Sequence, residues 1–547
     1  MKRSLSIGPF CILAACIAVI SPVLFSGCGH KQCLKGNCMD GYGIFETLEG
    51  LRYEGNFQQG KYHGNGKLFF SDGGFYQGEF SNGLLSGYGI MTYANGTRYT
   101  GQWENGSRHG KGDYQFKDGA NYSGEWDMGV ITGKGRMEYR DGSQYDGEFL
   151  NGRREGAGQF ILPGGHIYNG IFTNDEITGK GVFLMKEGAR YEGIFEKGVL
   201  SGECSVLYPD GSAYQGACKE NVRSGAGTLT YRDGRKYKGE FDNGMFHGYG
   251  EYELEEGLRY KGYFFRNHIT GSGTMIYPDG SRYEGDFLDG KRSGKGVDIQ
   301  PNGDRYEGEF LENRRNGTGT IAYSDGSRYR GQWKDNKKTG KGSLIWPDGR
   351  RYSGDFLDEL MHGSGVYRFP DGSVYSGTLS NGKISGTGTM KYDNGQVYSG
   401  SWKNEKWHGE GVLTWPLGKI YKGQFTEGQI TGKGHITFPD GRKYEGDLVK
   451  EIMHGKGSLS WPDGRQYSGG WDNGRYSSTG TYTFPDGRKY EGEWNNGVYY
   501  GHGSIQFPDG SRYEGMWKNN MMHGKGVYTS ADGTVTRGQW KDGARVE

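Results

Sequence analysis

Residues 490–512 read YEGEWNNGVYYGHGSIQFPDGSR, and the pattern starts again at Tyr513. Tyr490, Gly492 and Trp494 alternate with period two, as residues on one face of a strand do. Counting Tyr490 as position zero, Gly503, Ile505 and Phe507 at +13, +15 and +17 alternate as well. Pro508-Asp509-Gly510 then separates this run from the next Tyr, where Pro presets φ and Gly accepts a positive φ. Outward from this stretch, tyrosines spaced by 23 run in both directions, from Tyr53 to Tyr513, 21 in phase without insertion or deletion. A twenty-second unit opens with Thr536. Position +2 is Gly in all 22 units, and +4 is Phe or Trp in 19, the exceptions being Cys218, Leu379 and Leu448. Such a period decides the architecture before any local reading does.

Each unit reads as a β-hairpin closed at Pro-Asp-Gly, followed by an Asn-Gly-x-x-x-Gly connection. All eleven prolines after Pro22 fall at +18, where a hairpin loop tolerates a missing N–H. If a short Asp-Gly-x loop closes the hairpin, Tyr opposes the +17 aromatic. The +2 Gly then opposes +15, and the +4 aromatic opposes the +13 Gly, so glycines make room for rings. The expected fold is all-β: one elongated antiparallel meander of about 22 stacked hairpins over residues 41–547, the last truncated. Strand twist and the single aromatic face predict a sheet curled into a trough around its rings.

Composition excludes several classes. Glycine supplies 106 of 547 residues, against a usual share of about 7%. Hydrophobic residues are only 33%, yet aromatics reach 14%, which is too many rings, too regularly placed, for a disordered chain. Glycine is not every third residue, so collagen is excluded. With 66 basic against 65 acidic residues, the chain lacks the basic surplus of a nucleic-acid binder.

The first thirty residues differ. Lys2 and Arg3 precede an apolar stretch from Leu5 to Phe25, ending at Ser26-Gly27-Cys28, which is the layout of a secretory signal. Residues 1–27 resemble a bacterial lipoprotein signal with Cys28 as the acylated mature N-terminus, followed by a tether and cap over 28–40. A second box ends at Cys16. An uncleaved anchor helix and plain secretion are the alternatives, and all three place the rest of the chain outside the cytoplasm. In that oxidising setting the remaining cysteines read as disulfides. Cys204 replaces a +13 Gly and Cys218 a +4 aromatic, positions expected to face each other, and Cys33 and Cys38 close a short loop before the first hairpin.

The lattice resembles the MORN (membrane occupation and recognition nexus) family. Its pattern is matched by Tyr490-Glu491-Gly492-Glu493-Trp494 and Pro508-Asp509-Gly510, and the resemblance covers about residues 37–547. It implies a repeat array used for scaffolding, dimerisation, protein binding or phospholipid binding, with no kinase chemistry, since no non-repeat domain remains to carry it.

No catalytic or cofactor site is expected. His63, His109, His247, His362, His408, His454 and His523 all fall at +10. The closest are two repeats apart, roughly 20 Å by strand spacing, too far for one metal sphere. The recurrent Gly-x-Gly precedes no helix and is not a phosphate loop. No nucleophile–base set is visible. Asp298 and Gln300 break the apolar +15/+17 pair, and Ser478 replaces a +11 Gly, each read as a local bend or soft spot. The candidate binding surface is the aromatic column at +4, Trp103, Trp126, Trp333, Trp402, Trp471, Trp494, Trp517 and Trp540, the favoured alternative being that these rings are simply the core of a thin sheet. The favoured function is a non-enzymatic scaffold, tethered to a membrane by its acyl anchor in the cell envelope and presenting a β-surface to protein or envelope partners. A phospholipid binder and a carbohydrate binder are the alternatives, and the open last strand raises end-to-end or edge pairing into a homodimer.

Overall fold

The computed structural model describes residues 32–547. The expected signal over 1–27 and the acylation candidates Cys28 and Cys16 lie outside the described residues. The chain divides into two compact units, Met1–Pro278 and Asp279–Glu547. Both are all-β, and in each the strands pair antiparallel in chain order. Described strands run from Gln32–Gly36 to His268–Ile276 in the first unit and from Arg282–Leu288 to Ala544–Arg545 in the second. A three-residue 3₁₀ turn at Glu255–Gly257 is the only helical element among the described residues.

A repeat consists of a seven-residue strand carrying Tyr-x-Gly-x-aromatic and a nine-residue strand carrying Gly-x-Gly, as in Gln466–Asp472 and Arg475–Thr483. Asn473 and Gly474, with φ of 47° and 80°, join them in a two-residue turn. Positive φ at both positions is the geometry that matches strand twist, and it selects Asn-Gly. The Asn-Gly stretch is therefore a hairpin turn in its own right. The two extra residues of the longer strand are absorbed in a bulge at +11, where glycine supplies a positive φ. Ser478 occupies that position at φ 61°.

The facing pairs differ from expectation by two residues. Tyr76 stands opposite Leu68 and Met91, Gly78 opposite Gly66 and Gly89, and Phe80 opposite Gly64 and Leu85. Tyrosine thus faces +15, glycine faces glycine, and the +4 ring faces +11 or +9. The reason is the second turn, which takes up five residues and not three. In 323–327, Tyr323 N–H donates to Ser327 O at 2.9 Å and its carbonyl accepts from Gly326 N–H at 3.0 Å, so the +17 residue belongs to the turn. Asp325 Oδ1 accepts the Ser327 N–H and hydroxyl at 2.8 and 2.6 Å. A slip of two leaves every side chain on its expected face.

The paired glycines form the floor of the aromatic layer. A Cβ at Gly331 or Gly342 would collide with Tyr329, because that ring lies flat across both. Its hydroxyl donates to Gln332 O at 2.9 Å. Edge-on rings flank it, Trp333 at 5.3 Å from its own repeat and Phe356 at 4.9 Å from the next. The lattice tyrosines are buried except Tyr191, which is half-buried, and Tyr329 is buried completely.

At the start of the first unit, Gly41–Glu46 pairs with Arg52–Gln58 in lattice register, Gly43 opposite Gly55 and Phe45 opposite Tyr53. It is half a repeat. Gln32–Gly36 pairs onto its other side.

Candidate binding face

With the rings on one face, the other carries positions +1, +3, +12 and +14. In the second unit, from Ser343 to Ser401, these positions are mostly small hydroxyl residues. Ser343 pairs with Ser353, Ser364 with Thr378 and Thr389 with Ser399, and the last two oxygens are 3.0 Å apart. Elsewhere in this unit the same face holds longer charged pairs, such as Arg305–Glu307 and Arg512–Glu514, both 2.7 Å. Short side chains leave an open groove of about 790 Å³ over the backbone of Gly331, Gly342, Gly354 and Gly365. A second of about 670 Å³ overlaps it and reaches Lys295, Glu307 and Glu309.

Arg330 and Lys341 line the stretch where the two grooves overlap. Lys341 Nζ lies 2.6 Å from Asp355 Oδ1, and that hydrogen bond holds the Asp355 carboxyl below its ordinary range. Arg330 has no carboxylate partner among the described residues. Chemically the face offers hydroxyls, exposed glycine backbone and, among the described residues, two cations without a carboxylate partner, Arg330 and Lys295, which suits an extended polar ligand.

The tryptophans named from the sequence are not on this face. All eight are only 3–6% exposed. Seven donate their indole N–H to the +13 glycine carbonyl of the preceding repeat, for example Trp471 to Gly457 and Trp517 to Gly503, both 3.0 Å. Trp540 packs on Tyr513 at 5.1 Å. A ring that must bury its N–H against a carbonyl is core, so this column is not an accessible binding surface.

Cys204 and Cys218 are bonded across neighbouring strands of the first unit, with Cα atoms 5.9 Å apart. They do not face each other directly. Cys204 stands opposite Gly216 and Cys218 opposite Gly202, so the bond runs diagonally between the two pairs. Cys33 and Cys38 are bonded at the edge strand, Cα atoms 6.1 Å apart. Among the described residues no three His, Cys, Asp or Glu side chains converge as a metal site.

One set of residues escaped the sequence reading. Position +9, taken as part of a connection, closes the aromatic layer from above. Tyr62 stacks on Tyr53 at 4.0 Å, Phe246 on Tyr237 at 3.8 Å and Trp407 on Tyr398 at 5.0 Å. In other repeats Arg takes this place: Arg108 lies 4.2 Å above Trp126 and donates to Gly129 O at 2.8 Å. The signal was present as a run of large or long side chains at +9, but it mixes apolar residues with cations.

A family model described as MORN repeat matches 21 consecutive segments, from 53–75 to 513–535, each starting on a lattice tyrosine. Among solved structures, the TCP10c domain of Drosophila melanogaster Sas-4 matches at 13% identity, TM-score 0.19, covering 28% of this chain and 93% of that one. The TCP10 domain of Danio rerio CPAP matches at 15%, TM-score 0.11, covering 52% and 95%. A virginiamycin B lyase from Staphylococcus aureus matches at 12%, TM-score 0.08, covering 64% and 99%. At these scores the three carry no argument about function.

Proposed function

We propose, from the premise that the chain belongs to the MORN repeat family, that it is a non-catalytic scaffold whose polar β-face is its working surface. The observation that carries this reading is the division of faces. The aromatic side is consumed by the chain's own packing, and the second unit leaves a glycine-floored, hydroxyl-lined groove open on the other. The lipoprotein-like segment ending at Cys28 supports a tether to a membrane outside the cytoplasm, with protein or cell-envelope partners engaged along the groove.

The deciding experiment is co-sedimentation of residues 29–547, without the acyl group, with neutral and anionic vesicles at physiological salt. A scaffold tethered only by its anchor stays in the supernatant. Pelleting with vesicles would transfer the function to direct phospholipid binding by the repeats. A near-neutral chain, 66 basic against 65 acidic residues, favours the first outcome, since attraction to anionic lipid needs clustered cations.

A further inference from the structure

Position +15 is apolar in every repeat that has one, except at Asp298, and +17 is apolar or aromatic except at Gln300 and Ser530. Both substitutions thus meet in one repeat of the second unit. Asp298 stands between Tyr283 and Tyr306 in register and is 3% exposed. A lone carboxylate there would be strongly unfavourable. It is held by three donors: Arg292 Nη1 at 3.2 Å, Arg315 Nη2 at 3.4 Å and Gln300 Nε2 at 2.9 Å. Both arginines are +9 residues. Arg292 lies 5.3 Å above Phe310, and Arg315 lies 4.9 Å above Tyr306.

This network is not needed to hold the arginines. Arg108 and Arg223 cover their rings in the same way beside apolar +15 residues, Tyr114 and Leu229, and each donates to a turn carbonyl at 2.8 Å. Nor is the network complete. Arg292 also donates through Nη2 to Asn313 O at 2.8 Å; among the described residues its Nε–H is buried without an acceptor, and the side chain of Arg315 donates only through Nη2. Arg292 and Arg315 stand against Asp298 and Asp304, so the charges at the site balance, and what remains over is donor capacity on the guanidiniums. Where other repeats place a +17 ring, Gln300 leaves a cavity of about 590 Å³ lined by Arg292, Asp298, Gln300, Asp304, Phe310 and Arg315. That volume lies in the range of small-molecule sites.

We propose that this cavity binds a small hydroxylated carboxylate of the uronic-acid kind. The planar guanidinium fork of Arg315, engaged only through Nη2 among the described residues, can pair with a carboxylate through parallel hydrogen bonds. A phosphate dianion would bring a second negative charge up against Asp298 and Asp304. The two aspartates and the Gln300 amide supply acceptors and a donor for ligand hydroxyls. A buried ion network is a poor way to stabilise a fold compared with apolar packing, so its presence at one site in an otherwise apolar column points to recognition.

The test is calorimetric titration of the full chain with D-glucuronate, and with glucose and acetate separately. Saturable binding of glucuronate is expected, with glucose and acetate each weaker by about tenfold or more, since each loses charged or polar contacts. Gln300→Tyr restores the lattice ring and fills the cavity. Arg315→Met puts at +9 the residue that stands there as Met361 and Met453 and removes the fork while Arg292 and Gln300 still hold Asp298. Both should weaken glucuronate binding by about tenfold or more while circular dichroism stays that of the folded array. Absence of saturable binding, equal binding of acetate or glucose, or wild-type affinity in a folded Gln300→Tyr or Arg315→Met chain would each overturn the proposal. Arg315→Met serves on its own if the larger substitution does not fold.

Discussion

Tyr499 stacks on Tyr490 with ring centroids 3.8 Å apart and planes 20° from parallel, although nine residues and a hairpin turn separate them. Tyr490 lies flat on Gly492 and Gly503 and is flanked edge-on by Trp494 and Trp517 at 5.3 and 5.2 Å. Tyr499 closes the one side these neighbours leave open. The layer is therefore three deep, glycine, ring and lid, which is how a chain poor in aliphatic residues buries enough surface to fold.

Tyr499→Ala removes that lid and opens a cavity over Tyr490. Deleting a large buried aromatic typically costs roughly 3–5 kcal/mol. In a repeat array the loss is local, because each repeat contacts only its neighbours. Hydrogen exchange should accelerate in the strands around 489–518 and stay unchanged several repeats away. A uniform change along the second unit would contradict this account.

Gly342→Ala places a Cβ within 2.6 Å of the Tyr329 ring, which can move only by disturbing its own neighbours. Overpacking of this kind costs roughly 1–3 kcal/mol. Gly464→Ala meets nothing within 4 Å but holds φ at 94°, so only backbone strain opposes it. The reverse change, Ser478→Gly, relieves a left-handed serine and should stabilise by about 1 kcal/mol. Denaturant unfolding of the three variants should rank Ser478→Gly above wild type and Gly342→Ala below it.

Much of this layer was legible in the sequence. The period of 23 and the alternation of Tyr-x-Gly-x-Trp identified the strands, whereas the Asn-Gly turn at Asn473-Gly474 was read only as part of a connection. Phe507 and its equivalents misled, because they continue the alternation of +13 and +15 although their N–H and C=O groups are spent inside the turn. The lid was invisible for a different reason. Tyr62, Arg108, Leu200 and Trp407 share length and not polarity, so no hydrophobic pattern marks +9. Asp298 was legible as an exception, but not its partners, since Arg292 and Arg315 occupy that same unmarked position.

Alkaline pH should dissolve the array. Burial raises most lattice tyrosines, Tyr168, Tyr306 and Tyr421 to about 12, against about 10 for a free phenol. The folded value lies above the unfolded one, so this stabilisation is fully present below pH ~10 and is lost as pH rises towards 12. Many tyrosines share the shift, so the losses accumulate. Tyrosinate absorbance should rise together with loss of β-sheet circular dichroism, in one steep step above pH ~10. Tyrosine ionisation with the sheet signal intact would show that the hydroxyls are not confined.

The bond between Cys204 and Cys218 spans a sequence separation of 14. On the chain-entropy view, closing a loop of this size stabilises by about 3 kcal/mol by restricting the unfolded chain. Non-reducing digestion and mass spectrometry should recover the two cysteines in one linked peptide. In a Cys204→Ser, Cys218→Ser chain the hydroxyls meet a site built for two buried sulfurs, so the cost should reach or exceed that figure. Protection against hydrogen exchange should fall in strands 199–207 and 213–219 of the first unit, while the second unit, whose repeats contain no cysteine, should keep its wild-type protection. Equal loss in both units would mean that the array unfolds as one cooperative body, and the neighbour-by-neighbour account of its stability would have to be abandoned.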